Sequence, residues 1–197
     1  MDTTTIKQSI ANYTAIVKNA PALVTLYGQG NCFNYVLPTA KELASSLSIH
    51  AYPGIYEGNL HFFLIPAAYD VSTCTDIGFH TQVCPVIWDL TSNRIPTKEA
   101  KARIKRWSDL YTTWIPQQVA STNGMFQAFD IEVQDFEVKG VKVHLGLAGN
   151  TATPGVYTAD LIVTNADLTA VYYDDFATPV PPYGAAATQS SFYLLQP

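Results

Sequence analysis

Charge is scarce in this chain of 197 residues, since only 14% of its residues are Asp, Glu, Lys or Arg, against about 25% in an average soluble domain. Hydrophobic residues make up 48%, which excludes an intrinsically disordered chain. Cationic residues are the scarcer sign, with 11 Lys and Arg against 16 Asp and Glu. The net charge of -5 therefore argues against nucleic acid and against an anionic membrane surface as partners.

Cysteine is also scarce. Cys32, Cys74 and Cys84 match neither a disulfide framework nor a CxxC pair, which is typical of reduced thiols in a cytosol. The N-terminal stretch has an acidic second residue and no cationic segment, so we expect no secretory signal. Every unbroken apolar run is far shorter than the ~20 residues that cross a bilayer. These absences predict a cytoplasmic protein.

Familiar catalytic and cofactor motifs are missing too. The chain has no GxSxG, HExxH or GxxxxGK[ST] pattern. Gly28 and Gly30 lie in a "GQGN" stretch that lacks the third glycine of a dinucleotide-binding fingerprint. We therefore predict no cofactor and no metal, and we assign no catalytic residue.

What the sequence does contain is clear periodicity. Apolar residues at helical spacing predict an N-terminal helix that is capped by Thr5 and ends before Pro21. A short second helix is predicted after an N-cap at Thr39. The clearest helix covers Thr97–Ile115, where Pro116 is expected to stop or kink it.

The densest apolar and aromatic stretch runs from Ser48 to Asp70. Its centre, Glu57-Gly58, predicts a two-residue hairpin turn, because the glycine readily adopts a positive φ. In the simplest register Tyr52 lies opposite Phe63, and large apolar side chains occupy both faces. We expect a hairpin that is covered on both sides or packed at an interface.

Two histidines lie in this hairpin. The register pairs His61 with Gly54, four residues along from His50, which separates the histidines by about 13 Å. One zinc ion binds imidazole nitrogens at about 2 Å, so these two cannot share a metal. We interpret both as hydrogen-bonded structural residues.

Other strands are predicted around Leu23–Tyr27 and in the last third of the chain, where a turn at Lys139-Gly140 joins two alternating segments. Apolar positions change parity near Asp135, which predicts a bulge or a bend. The Pro-rich stretch 176–191 is expected to run over the surface, with the following "FYLL" anchored by its apolar side chains. We predict a single α+β domain over residues 1–197, with a mainly antiparallel sheet covered by the N-terminal and central helices.

Our leading hypothesis is a non-enzymatic protein-interaction or ligand-binding module, because the composition is aromatic and low in charge while every catalytic pattern is incomplete. The expected partner is another protein or a second copy of the chain, bound through a face formed by Tyr52, His61 and Phe63.

Two alternatives stay open. One is a hydrolase-type enzyme whose cleft gathers Asp70, Asp76, His80 and Cys84. The other is a carbohydrate binder that uses Trp88 and exposed tyrosines. Across the three hypotheses, the candidate pocket or interface residues are Tyr52, His61, Phe63, Asp70, Asp76, His80 and Trp88.

Overall fold

A computed structural model describes residues 1–39, 43, 46–88, 98–122, 124–136, 138–149, 153, 155–166, 171–174, 177–180 and 191–196. Within these residues the chain forms helices and strands of an α+β fold. The helices are α1 (Thr3–Thr14), α2 (Ala20–Tyr27), α3 (Ile77–His80) and α4 (Lys98–Thr122). The strands are β1 (Cys32–Val36), β2 (Ser48–Tyr56), β3 (Asn59–Pro66), β4 (Gln82–Pro85), β5 (Ala128–Glu132), β6 (Gly140–Gly149), β7 (Tyr157–Ala166), β8 (Val171–Asp174) and β9 (Ala177–Val180). None of the described helices is both long and apolar enough to span a membrane.

The strands form two sheets, and every pairing is antiparallel, as predicted. The four-stranded sheet has the order β1-β6-β7-β8, and the five-stranded sheet has the order β4-β3-β2-β5-β9. An isolated bridge between Cys32 and Ile87 connects their edges. The α+β class is therefore confirmed, with the strands divided between two sheets.

The hairpin of β2 and β3 has the predicted register. Glu57 and Gly58 form the turn with φ values of 50° and 79°, and Tyr52 pairs with Phe63. One face of the hairpin contributes to the main core, which also contains side chains of the four-stranded sheet, α2 and α4. The other face packs against α1, α3 and residues 191–196. The prediction that the hairpin is covered on both sides is confirmed.

The N-terminal helix forms over the predicted apolar stripe, but the prediction that Thr5 caps it is wrong. The cap residue is Asp2, whose carboxylate accepts hydrogen bonds from both the backbone N–H and the hydroxyl of Thr5. A carboxylate caps well because it satisfies donors that have no partner inside the first turn. The predicted helix after Thr39 lies almost entirely outside the described residues.

The strand predicted over Leu23–Tyr27 is also wrong, because these residues belong to α2. Asn19 caps the helix by accepting from the N–H of Ala22, and Pro21 occupies the first turn, where its missing N–H costs nothing. Leu23, Leu26 and Tyr27 are buried at a spacing of three and one residues, which places them on one side of a helix.

The central helix continues past Pro116 to Thr122. The prediction that Pro116 stops the helix is therefore wrong. A proline inside a helix removes one hydrogen bond and tends to kink it. Burial of the apolar side chains of Trp114 and Ile115, directly before the proline, contributes to offsetting its cost.

The two alternating segments near residue 140 do not form a hairpin with each other. A short 3-10 turn at Val133–Asp135 ends β5, which confirms the predicted bend. Beyond it the chain crosses to the other sheet, because β5 pairs with β2 and β9 whereas β6 pairs with β1 and β7. Part of the stretch expected on the surface forms β9 instead, while Phe192 and Leu194 are buried, as predicted.

Candidate functional site

His50 is the centre of a buried polar cluster on β2. Its neighbours across the sheet are Ile65 on β3 and Asp130 on β5. The imidazole Nε2 lies 3.9 Å from Asp130 Oδ1, which is an ion-pairing distance if the ring is protonated. Strand pairing therefore places a carboxylate beside one nitrogen of this histidine.

The other nitrogen of His50 faces Asp70. A 3-10 turn at Ala67–Tyr69 follows β3 and returns Asp70 over the sheet, where His50 Nδ1 lies 2.6 Å from Asp70 Oδ2. The same oxygen accepts a hydrogen bond from the Tyr52 hydroxyl, and Oδ1 accepts one from the N–H of Leu194 at 3.2 Å. These three donors compensate for the burial of the Asp70 side chain, which is only 1% exposed.

The hydrogen bonds limit where the protons of this cluster can lie. If Asp70 is ionised it can only accept, and Nδ1 of His50 is then the donor in the 2.6 Å contact. Burial, and after it the Asp70 carboxylate, raises the pKa of Tyr52 well above its usual value, so that hydroxyl stays protonated and donates. In neutral His50, Nε2 is consequently the nitrogen with a free lone pair.

His50, Asp70 and Asp130 all line one pocket of about 580 Å³, which we call the site pocket. Four side chains that carry a hydroxyl also line it, those of Ser48, Ser72, Ser191 and Tyr193. Asp130 Oδ1 is buried and accepts no hydrogen bond from the described residues. Among those residues, the pocket wall includes no Lys or Arg, so it favours an uncharged or cationic ligand over an anionic one.

The aromatic face predicted for a partner points inward. Tyr52 and Phe63 are completely buried, and their side chains pack in the cluster beneath α1. His61 is half-buried and contacts the rings of Tyr56 and Phe63. It lies opposite Gly54 as expected, away from the site pocket.

Three residues of the predicted hydrolase cleft lie apart from the Asp70 cluster. Asp76 is exposed at the start of α3. His80 stacks on Tyr69 at a ring distance of 3.6 Å and lines a different pocket. Cys84 is buried in β4, where burial raises its pKa to about 12. Of these four residues, only Asp70 lines the site pocket.

Trp88 is the most accessible tryptophan among the described residues, with 44% of its surface exposed. Its indole N–H donates to the backbone oxygen of Gly28. This hydrogen bond holds the ring at the surface beside Gly28, the residue that follows α2. Trp88 is not among the residues that line the site pocket.

Asp70 and Tyr52 are among the residues predicted for a pocket or interface, whereas His50, which bonds to Asp70, was interpreted as a hydrogen-bonded structural residue. The hairpin register placed His50 on the same face as Tyr52, which was an available signal. Nothing local indicated Asp130, because its pairing with His50 links residues 80 positions apart. Phe192, which stacks on His50, is separated from it by still more of the chain.

Comparison of the chain with protein-family models, with curated proteins and with solved structures finds no match.

Proposed function

We propose that this protein is a hydrolase-type enzyme that cleaves a small uncharged ester in the site pocket, with His50 as the group that transfers the proton. The observation that supports this proposal is the 2.6 Å contact between His50 Nδ1 and a buried carboxylate. A carboxylate in this position holds the imidazole in one tautomer and leaves Nε2 as a general base.

In the proposed reaction, His50 Nε2 accepts a proton from a water molecule as the water oxygen attacks the acyl carbon. The resulting imidazolium is stabilised by Asp70 on one side and by Asp130 Oδ1, 3.9 Å away, on the other. Collapse of the tetrahedral intermediate breaks the ester bond, and the proton passes from Nε2 to the departing alkoxide. The products are an acid and an alcohol, and the histidine is neutral again.

Two features of the pocket limit the class of substrate that it could bind. The described wall presents carboxylates and no cationic side chain, which disfavours phosphate esters and other anions. Glycoside hydrolysis needs two carboxyl groups that both face the sugar. Asp70 already accepts three hydrogen bonds and is buried, so it is not available as the second group.

The test is a comparison of His50→Gln with His61→Gln on p-nitrophenyl esters of short fatty acids. We expect the His50 variant to lose activity by about 100-fold or more, which is typical of removing a general base. His61→Gln is the matched control, because it removes a half-buried histidine outside the site pocket. No ester turnover by the native protein, or equal rates in the His50 variant, would contradict the proposal.

A non-enzymatic ligand-binding module is the second candidate. It is favoured by the fixed, fully bonded state of Asp70, which is also expected of a structural network at the base of a binding pocket. A neutral ligand that raises the melting temperature of native protein but not of Asp130→Asn, without turnover, would support this candidate. For either function we propose a reducing compartment, because all three cysteines are free and two of them are buried.

A further inference from the structure

Residues 191–196, which we call the C-terminal segment, pack directly over His50. The Phe192 ring lies 4.0 Å from the imidazole, centre to centre, with 24° between the two planes. It also meets the Tyr52 ring edge-on at 5.8 Å, and its side chain is completely buried. One flat face of the imidazole is therefore covered by an aromatic ring.

The same segment also binds the carboxylate partner. The backbone N–H of Leu194 donates to Asp70 Oδ1, while Oδ2 receives the donors from His50 and Tyr52. A backbone amide is a fixed donor that cannot turn away as a side chain can. His50 thus contacts Phe192 and Asp70 contacts Leu194, so both members of the pair touch the same short segment.

The C-terminal segment is itself anchored to the first helix. Leu194 is buried in the cluster that contains Ile6 and Ile10 of α1. Lys7 lies 4.1 Å from the centre of the Tyr193 ring and donates to the backbone oxygen of Gln196. Helix α1 and the C-terminal segment therefore meet beside the His50–Asp70 pair.

We propose that Phe192 is the positioning residue of His50, and that the Leu194 amide does the same for Asp70. Turning the imidazole about its Cβ–Cγ bond would carry Nδ1 away from Asp70, and the stacked ring resists that rotation together with the hydrogen bond. Orientation matters because a misplacement of about 1 Å can cost about 100-fold in rate. The catalytic meaning of this inference rests on the proposed function, but the orientation itself does not.

The test is nuclear magnetic resonance of the imidazole in Phe192→Leu, with Leu195→Ala as the matched control. The control removes a half-buried apolar side chain from the same segment but keeps the Phe192 ring, the Leu194 anchor and the Leu194 amide. In native protein and in Leu195→Ala, we expect the ring protons of His50 to be shifted upfield by Phe192. The ¹⁵N shifts of the neutral ring should show a single tautomer, with the proton on Nδ1.

In Phe192→Leu we expect the upfield shift to be lost and the two tautomers to mix. The loss of the upfield shift reports only the removal of the ring, so the tautomer decides. A single tautomer with the proton on Nδ1 in this variant would overturn the proposal. The titratable groups facing His50 that could obscure the result are Asp70, Asp130 and Tyr52, so all spectra are compared at one pH.

A second measurement covers the case in which Phe192→Leu does not fold. In native protein the ring protons of Phe192 and His50 should show a direct nuclear Overhauser effect, and its absence would also overturn the proposal. Neither readout depends on turnover. If the protein cleaves no ester but the native Overhauser effect is present and Phe192→Leu mixes the tautomers, the proposed function fails and the positioning role of Phe192 stands.

Discussion

Burial determines how the individual thiols react. Cys84 is only 1% exposed, and burial raises its pKa to about 12. The nucleophile in cysteine chemistry is the thiolate, so this side chain is unreactive at neutral pH. Cys74 is partly exposed, in the loop before α3.

We predict that iodoacetamide at neutral pH modifies Cys74 of the native protein well before Cys84. Mass spectrometry of chymotryptic peptides would identify the modified residue, because Phe79 separates Cys74 from Cys84. Unfolding in guanidinium should make all three cysteines react. Rapid labelling of Cys84 in the native protein would restore it as a candidate nucleophile.

At the scale of single residues, local patterns identified side chains but not their contacts. Tyr52 and Asp70 could be selected because they border a dense aromatic stretch. Tyr52 and His50 bond the same oxygen of Asp70, and the Leu194 amide bonds its other oxygen. This arrangement depends on contacts between residues up to 124 positions apart. No local pattern encodes such a distance.

Helix α1 is capped by Asp2, which is not part of its apolar stripe. The side-chain and backbone hydrogen bonds from Thr5 lower the pKa of Asp2 below its usual value of 3.8. Since the folded state favours the ionised form, the stabilisation is present above pH 3.8 and is lost as the pH falls through the lowered pKa of the folded protein.

We predict that Asp2→Ala lowers the melting temperature at neutral pH and that this difference shrinks at about pH 2. Asp76→Ala is the matched control, because Asp76 precedes α3 without a side-chain capping bond and should cost less at neutral pH. Thermal denaturation followed by circular dichroism measures both. A difference that is independent of pH would show that the charge of Asp2 does not stabilise the cap.

At the scale of elements, periodicity was informative wherever one face of the element is buried. The stripe of Ile6, Ile10 and Tyr13 predicted α1, and the turn at Glu57-Gly58 predicted the hairpin with its register. The strand prediction for α2 failed because its eight residues are mostly apolar, and a short apolar run does not distinguish a strand from a buried helix. Of the two outcomes predicted at Pro116, a stop was wrong, because the helix continues to Thr122.

Gly30, which precedes β1, lies against the backbone of Ile87, beside the bridge that connects the two sheets. A Cβ atom at this position would lie 2.4 Å from the backbone oxygen of Ile87 and 2.7 Å from its nitrogen. Those same atoms form hydrogen bonds with the backbone of Cys32. Glycine is therefore needed here so that the backbones can approach, and the bridge between the sheets depends on it.

We predict that Gly30→Ala destabilises the protein by about 3 kcal/mol, because backbone atoms cannot move aside as a flexible side chain can. Gly140→Ala is the matched control, since a Cβ there would meet no atom within 4 Å, and it should be neutral or stabilising by up to about 1 kcal/mol. Urea denaturation curves would measure both. Equal midpoints for the two variants would show that the link between the sheets can relax.

For the whole molecule, local sequence patterns predicted the α+β class, the antiparallel pairing of β2 with β3 and the burial of both hairpin faces. These features depend on side-chain periodicity and on a turn between neighbouring residues, so they are readable from short windows of sequence. The folded chain was needed to show that the strands divide into two sheets, that His50 lies between Asp70 and Asp130, and that Phe192 covers its ring. Such contacts join segments far apart in the chain, and they form because many apolar surfaces are buried together, which no single stretch of residues specifies.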